Sequence, residues 1–125
     1  MQGKLLEKQL NHTASDQIFK SYTAFRYAPP FTKDAISEMI SDGVDNAIAL
    51  SLYPQYSCST TGSSMNELWR RVNELDPTKK INWKVIDRWA THPGLVEAFA
   101  QRIEAKLAKY DDDERDQVIL LFSGM

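Results

Sequence analysis

Short apolar or β-branched runs alternate along this chain with longer segments whose apolar residues recur every three or four positions. The short runs fall at Tyr22–Arg26, Ala47–Leu52, Ile81–Ile86 and Val118–Phe122. Their lengths suit strands, some of them buried on both faces. Between them the period is helical. Thr32 is placed to cap a helix in which Ile36, Met39 and Ile40 share a face, and Gly43 to end it. Met65, Leu68, Trp69, Val72 and Leu75 mark the next helix, which stops before Pro77. Leu95, Phe99, Ile103 and Leu107 mark another, entered through His92 and Pro93, with Pro93 suited to a first helical turn. A leading helix is expected at Lys4–Leu10. The order α-β-α-β-α-β-α-β predicts an α/β fold: a parallel sheet of about four strands with flanking helices. Ligands of such sheets sit beyond the C-terminal ends of the strands.

Length and composition add exclusions. The 125 residues suffice for one domain with a core. A net charge of −2 argues against general nucleic-acid binding, which needs a positive field. No apolar run reaches membrane-spanning length. Residues Met1–Leu10 show neither a signal-peptide core nor an Arg/Ser-rich transit pattern. The single cysteine, Cys58, can form no internal disulfide and cannot complete a zinc or iron–sulfur site alone.

The candidate chemistry lies where the strands end. After the first, Arg26 and Tyr27 leave the sheet together, followed by Pro29 and Pro30. They read either as ligand-handling groups or as a salt bridge and a packed ring. After the second strand, six of the eight residues from Ser57 to Ser64 carry hydroxyls. Such a loop before a helix can turn N–H groups toward an anion, or Thr60 or Thr61 can simply cap the helix. It lacks the lysine of a phosphate-binding loop and the three glycines of a dinucleotide fingerprint. After the third strand, Asp87, Arg88, Trp89 and His92 fall within six residues. His92 can move protons near neutral pH, but a loop histidine before a helix is the commoner case. Asp87 and Arg88 most often form a structural ion pair, and Trp89 and Tyr53 can line a flat ligand or pack. The acidic run Asp111–Glu114 lacks EF-hand spacing and reads as a solvated turn.

The residues at these strand ends carry a resemblance. Tyr53-Pro-Gln-Tyr-Ser-Cys58-Ser-Thr-Thr-Gly-Ser-Ser64 resembles the most distinctive block of eukaryotic ferrochelatases, which insert ferrous iron into protoporphyrin. Phe25-Arg-Tyr27, the stretch from Trp83 to His92 and Leu120-Leu-Phe-Ser123 resemble further blocks, in order. The resemblance covers nearly the whole chain from about Ala24. It implies a Rossmann-like, chelatase-like fold with the porphyrin between two similar domains. Residues 1–125 would then be part of the N-terminal domain. It implies that Arg26 and Tyr27 lie in or near a metal-handling cleft, with Tyr53 and Trp89 as cleft-side aromatics and His92 as a candidate catalytic residue. Cys58 matches the lone upstream ligand of a two-iron two-sulfur cluster found in some members, the other three being tail cysteines. The substrates implied are protoporphyrin IX and ferrous iron. The setting implied is a homodimer held peripherally on the matrix side of the mitochondrial inner membrane.

Two departures shape the expectation. Where the family continues Phe-Ser with Ala-His-Ser-Leu-Pro, this sequence has Phe122-Ser123-Gly124-Met125. That family histidine is thought to accept pyrrole protons. The second domain, the tail cysteines and the family's first strand and porphyrin-covering lip are not matched within these residues. The chain is therefore expected to be an incomplete chelatase that does not insert iron by itself. A non-catalytic product that binds porphyrin or the full-length subunit is the alternative, separated by whether the transcript continues into Ala-His-Ser-Leu-Pro. An unrelated nucleotide-binding α/β domain is disfavoured by the Tyr53–Ser64 block.

Overall fold

A computed structural model of the chain describes residues 2–14 and 16–123; Gly124 and Met125 lie outside the described residues. Two compact units form, Met1–Arg88 and Trp89–Met125.

The first unit is α/β. Helix α1 (Gln2–Thr13) leads, longer at both ends than the expected Lys4–Leu10. Helix α2 (Thr32–Ser41) is followed by strand β1 (Asn46–Leu50), a single π-helical turn (Cys58–Gly62), helix α3 (Ser63–Leu75) and strand β2 (Asn82–Ile86). The strands pair in parallel, with Asn46 opposite Asn82 and Leu50 opposite Ile86. One sheet face carries Ala49 and Trp83 against Ile36 of α2 and Leu68 and Val72 of α3, with Met65 and Leu75 beside them. The spacings of three and four read along α3 are the residues that pack. Ile36 is 1% exposed, and burial of a side chain of that size stabilises by about 1.5–3 kcal/mol. Trp69 meets Trp83 edge to face at 6.2 Å. The opposite sheet face, with Ile48, Leu50 and Ile86, is exposed.

Helix ends follow local chemistry. Phe31, not Thr32, is the N-cap of α2, and the Asp34 carboxylate accepts from its N–H at 3.0 Å. Gly43 ends the helix region at φ +71°, a backbone conformation glycine adopts without a Cβ penalty. Between α3 and β2, the buried Asp76 carboxylate accepts from the N–H groups of Lys80 and Ile81, both at 2.9 Å. Those two bonds hold its pKa below the usual range.

Two of the four expected strands do not form among the described residues. Tyr22–Arg26 has one isolated bridge, Phe25 to Phe31. The segment just before it is strapped by side chains instead of a ladder. Asn11 Oδ1 accepts from Phe19 N–H at 2.7 Å, and Glu7 accepts from Ser21 N–H at 2.6 Å. Lys20 pairs with Glu38 and Asp42, and the Tyr22 hydroxyl donates to Asp42 at 2.6 Å. Burial and the Asp42 charge push the Tyr22 hydroxyl up to about 12. The sheet is therefore two-stranded where about four strands were expected.

The second unit holds helix α4 (Pro93–Leu107), with Pro93 in its first turn as predicted, and one turn, α5 (Asp112–Arg115), where the acidic run reads as a turn. Val118–Phe122 is not a strand. An apolar run becomes a strand only with a partner ladder, and the described residues of this unit contain none; Ile119, Leu121 and Phe122 are each more than four-fifths exposed.

Candidate functional site

In the first unit the chemistry gathers at the C-terminal ends of β1 and β2. Ser51, directly after β1, donates to or accepts from Thr61 (Oγ–Oγ1 3.1 Å), and both are buried. The Ser51 hydroxyl oxygen also accepts from Tyr53 N–H at 3.3 Å. The strand end is thereby tied to the start of α3. Between them runs the hydroxyl-rich loop. Its cap is Ser57, where Thr60 or Thr61 was expected. Ser57 Oγ accepts from Thr60 N–H at 3.3 Å and bonds the Thr60 and Ser59 hydroxyls at 2.7 and 3.1 Å. Thr61 is instead wholly buried. A π-helical turn at such a junction is rare in proteins and frequent at functional sites. Gly62 lets the Tyr56 ring approach closely, since a Cβ there would stand 3.0 Å from the Tyr56 hydroxyl.

Arg26 and Tyr27 reach the same helix. The Tyr27 hydroxyl lies 3.3 Å from Ser63 Oγ, and the Arg26 guanidinium stacks 4.9 Å from the Tyr27 ring. Arg26 Nη1 is 3.7 Å from Glu67 Oε2. Arg26 Nε is buried with no hydrogen-bond partner. Tyr53 is half exposed, and Cys58 is exposed with a free thiol. Arg88, just past β2, lies over the Tyr56 ring at 4.9 Å and holds Asp87 through two 3.0 Å bonds. The guanidinium keeps the Asp87 carboxyl below its usual range. The structural ion pair read from the sequence is therefore present.

Glu67 was missed by the sequence reading. Its buried carboxylate accepts from Arg70 Nε and Nη2 and from Arg71 Nε, all at 2.9 Å, while Arg71 Nη1 reaches Glu74 at 2.7 Å. Arg71 and then Arg70 hold its pKa low. The spacings i+3 and i+4 make these two pairs legible from a helix alone. Arg26, 41 positions away in sequence, has no local signal.

In the second unit Trp89 and His92 share a turn, with His92 N–H donating to Trp89 C=O at 3.0 Å. His92 is the N-cap of α4: its Nδ1 accepts from Gly94 N–H at 3.1 Å. Nδ1 is thus occupied as an acceptor, which puts the neutral ring's proton on Nε2. The ring is exposed. The bland reading, a histidine that begins a helix, describes one role this residue has.

Among the described residues no three His, Cys, Asp or Glu side chains gather as a metal site, and no helix is long and apolar enough to cross a membrane. An iron–sulfur cluster normally takes four protein ligands. This chain offers the thiolate of Cys58 alone, so its residues do not fit a cluster by themselves.

Comparison with known proteins gives a family model described as Ferrochelatase that matches residues 1–125. The mitochondrial ferrochelatase of Gallus gallus is 47% identical over 121 residues, covering 97% of this chain and 29% of that protein. The Xenopus laevis protein is 48% identical with the same coverage, and that of Schizosaccharomyces pombe 43%, covering 97% of this chain and 28% of the relative. The chain thus spans about 29% of the length of the curated relatives it matches.

Proposed function

Because the chain belongs to the ferrochelatase family, we propose that the protein carrying it inserts ferrous iron into protoporphyrin IX to form haem, and that these residues make part of its N-terminal domain. The family match across the whole chain carries this reading. The relatives are named mitochondrial, which supports a mitochondrial location. Peripheral attachment to the matrix side of the inner membrane, and a homodimer, are the family-based parts of the proposal. A two-iron two-sulfur cluster using Cys58 would need its remaining ligands from beyond these residues, and no step is assigned to it.

Porphyrin metallation replaces two pyrrole N–H protons with a metal, so the site must take up protons and hold the macrocycle away from water. Tyr53 follows the end of β1, the edge where open parallel sheets take ligands, and Arg26 and Tyr27 contact α3, the helix that the same loop enters. We assign Tyr53 and Trp89 to contact with the flat ring, and Arg26 and Tyr27 to the metal-handling side. His92 is assigned to proton movement through Nε2. Its geometry sets a condition on that role. With Nδ1 accepting from Gly94 N–H, the neutral ring carries its proton on Nε2, and protonation at Nδ1 would break the cap on α4.

Two replacements in the full-length protein separate the roles. Asparagine is a good N-cap, so His92→Asn keeps the cap and removes the imidazole, whereas His92→Ala removes both. The assignment predicts a fall in metalloporphyrin formation of about 10²-fold or more in both variants, with melting temperature lowered only in His92→Ala. Wild-type turnover in His92→Asn reduces His92 to a helix cap.

A further inference from the structure

A cavity of about 270 Å³ opens beside Arg26, between the first turn of α2 and the middle of α3. Four cations line it, Arg26, Lys33, Arg70 and Arg71, against one carboxylate, Glu67. That carboxylate is already committed: Arg70 grips it with two nitrogens and Arg71 with one. Glu74 takes a further nitrogen of Arg71 but does not line the cavity. Arg26 reaches Glu67 only at 3.7 Å and keeps its buried Nε without an acceptor. Lys33 forms no ion pair among the described residues. Like charges gathered at this range repel unless an anion lies between them. Guanidinium and ammonium groups lining one small space, with Phe31 and Thr32 completing its wall, match the oxygens of a phosphate. The volume is several times the ~30 Å³ of a water molecule, room for such a group.

We propose that this cavity binds a phosphate group, with Arg26, Lys33 and Arg70 as its donors and Glu67 as the buried counter-charge that sets their positions. The site is separate from the reaction assigned above except for the shared Arg26, so the test acts on Lys33. In the full chain at constant ionic strength, inorganic phosphate is titrated while the Arg26 Nε–H resonance is followed by NMR. The expected result is a saturable shift. Lys33→Gln, an exposed replacement, should weaken it about tenfold, the effect of removing one charge-assisted contact. Lys106→Gln, on α4, should leave it unchanged. Methyl phosphate as a second probe distinguishes the source: saturation by both ions assigns the site to a phosphate ester, saturation by inorganic phosphate alone to the free ion. A shift that does not saturate overturns the site. So does an affinity of Lys33→Gln equal to wild type, or an equal loss in Lys106→Gln, which would make the effect one of general charge.

Discussion

Replacing Thr61 with valine removes one hydrogen-bonding oxygen from a fully buried position. Thr61 is wholly buried and Ser51 nearly so, and their hydroxyls meet at 3.1 Å. Valine fills the same space, so no cavity term arises. The loss is one neutral hydrogen bond, about 0.5–1.5 kcal/mol, and Ser51 loses that partner in a buried place, which takes the cost toward about 1–2 kcal/mol. For a chain of this size, 1 kcal/mol corresponds to roughly 3–6 °C in melting temperature. Thermal and urea unfolding, followed by far-UV circular dichroism, should therefore show a drop of several degrees in Thr61→Val. Ser59→Ala, at an exposed hydroxyl of the same loop, should stay within about 0.5 kcal/mol. Equal stability of Thr61→Val and wild type would refute the claim that the Ser51–Thr61 contact fastens the loop to the end of β1. The same variant should loosen Tyr53, whose N–H is held by the Ser51 hydroxyl.

Other outcomes follow from the same packing and charges. Ile36→Ala, at the centre of the first unit's core, should cost about 2–5 kcal/mol by urea unfolding; a loss under 1 kcal/mol would mean the α2–α3 contact is not a fixed core. Asp76 has a folded pKa below its unfolded value, so its stabilising effect is present above the unfolded pKa, near 4, and fades as pH falls through the folded one. Asp76→Asn should therefore be less stable than wild type at pH 7, with the difference shrinking below about pH 4; a pH-independent difference would contradict this.

The helices were legible because each needs only its own neighbours. Met65, Leu68, Val72 and Leu75 declare the packed face of α3, and Pro93 the first turn of α4. The strands are less so, since a strand exists only where a second one pairs with it. Ala47–Leu52 and Ile81–Ile86 find each other across α3, with small shifts at their ends. Tyr22–Arg26 and Val118–Phe122 have strand-like composition but no ladder among the described residues. The alternation of elements put the candidate residues at strand ends; Tyr53 does follow β1, whereas Arg26 and Tyr27 were expected after a strand that does not form and reach α3 instead. The Ser57 cap was hidden by five neighbouring hydroxyls with equal claims. The Arg26–Glu67 approach was hidden by distance along the chain. His92 was singled out for its chemistry, yet its observed partner, Gly94 N–H, is a capping contact that any Asn or Ser could make.

The proposed function requires these residues to work in place of their counterparts in a ferrochelatase relative. The most direct test is a chimera in which the matching 121 residues of the Gallus gallus ferrochelatase are replaced by this chain's. The chimera is given protoporphyrin with ferrous iron or zinc under anaerobic conditions, and metalloporphyrin absorbance is followed. Turnover within about tenfold of the parent enzyme is expected. A folded chimera that binds protoporphyrin but forms no metalloporphyrin above the protein-free rate would contradict the proposed function.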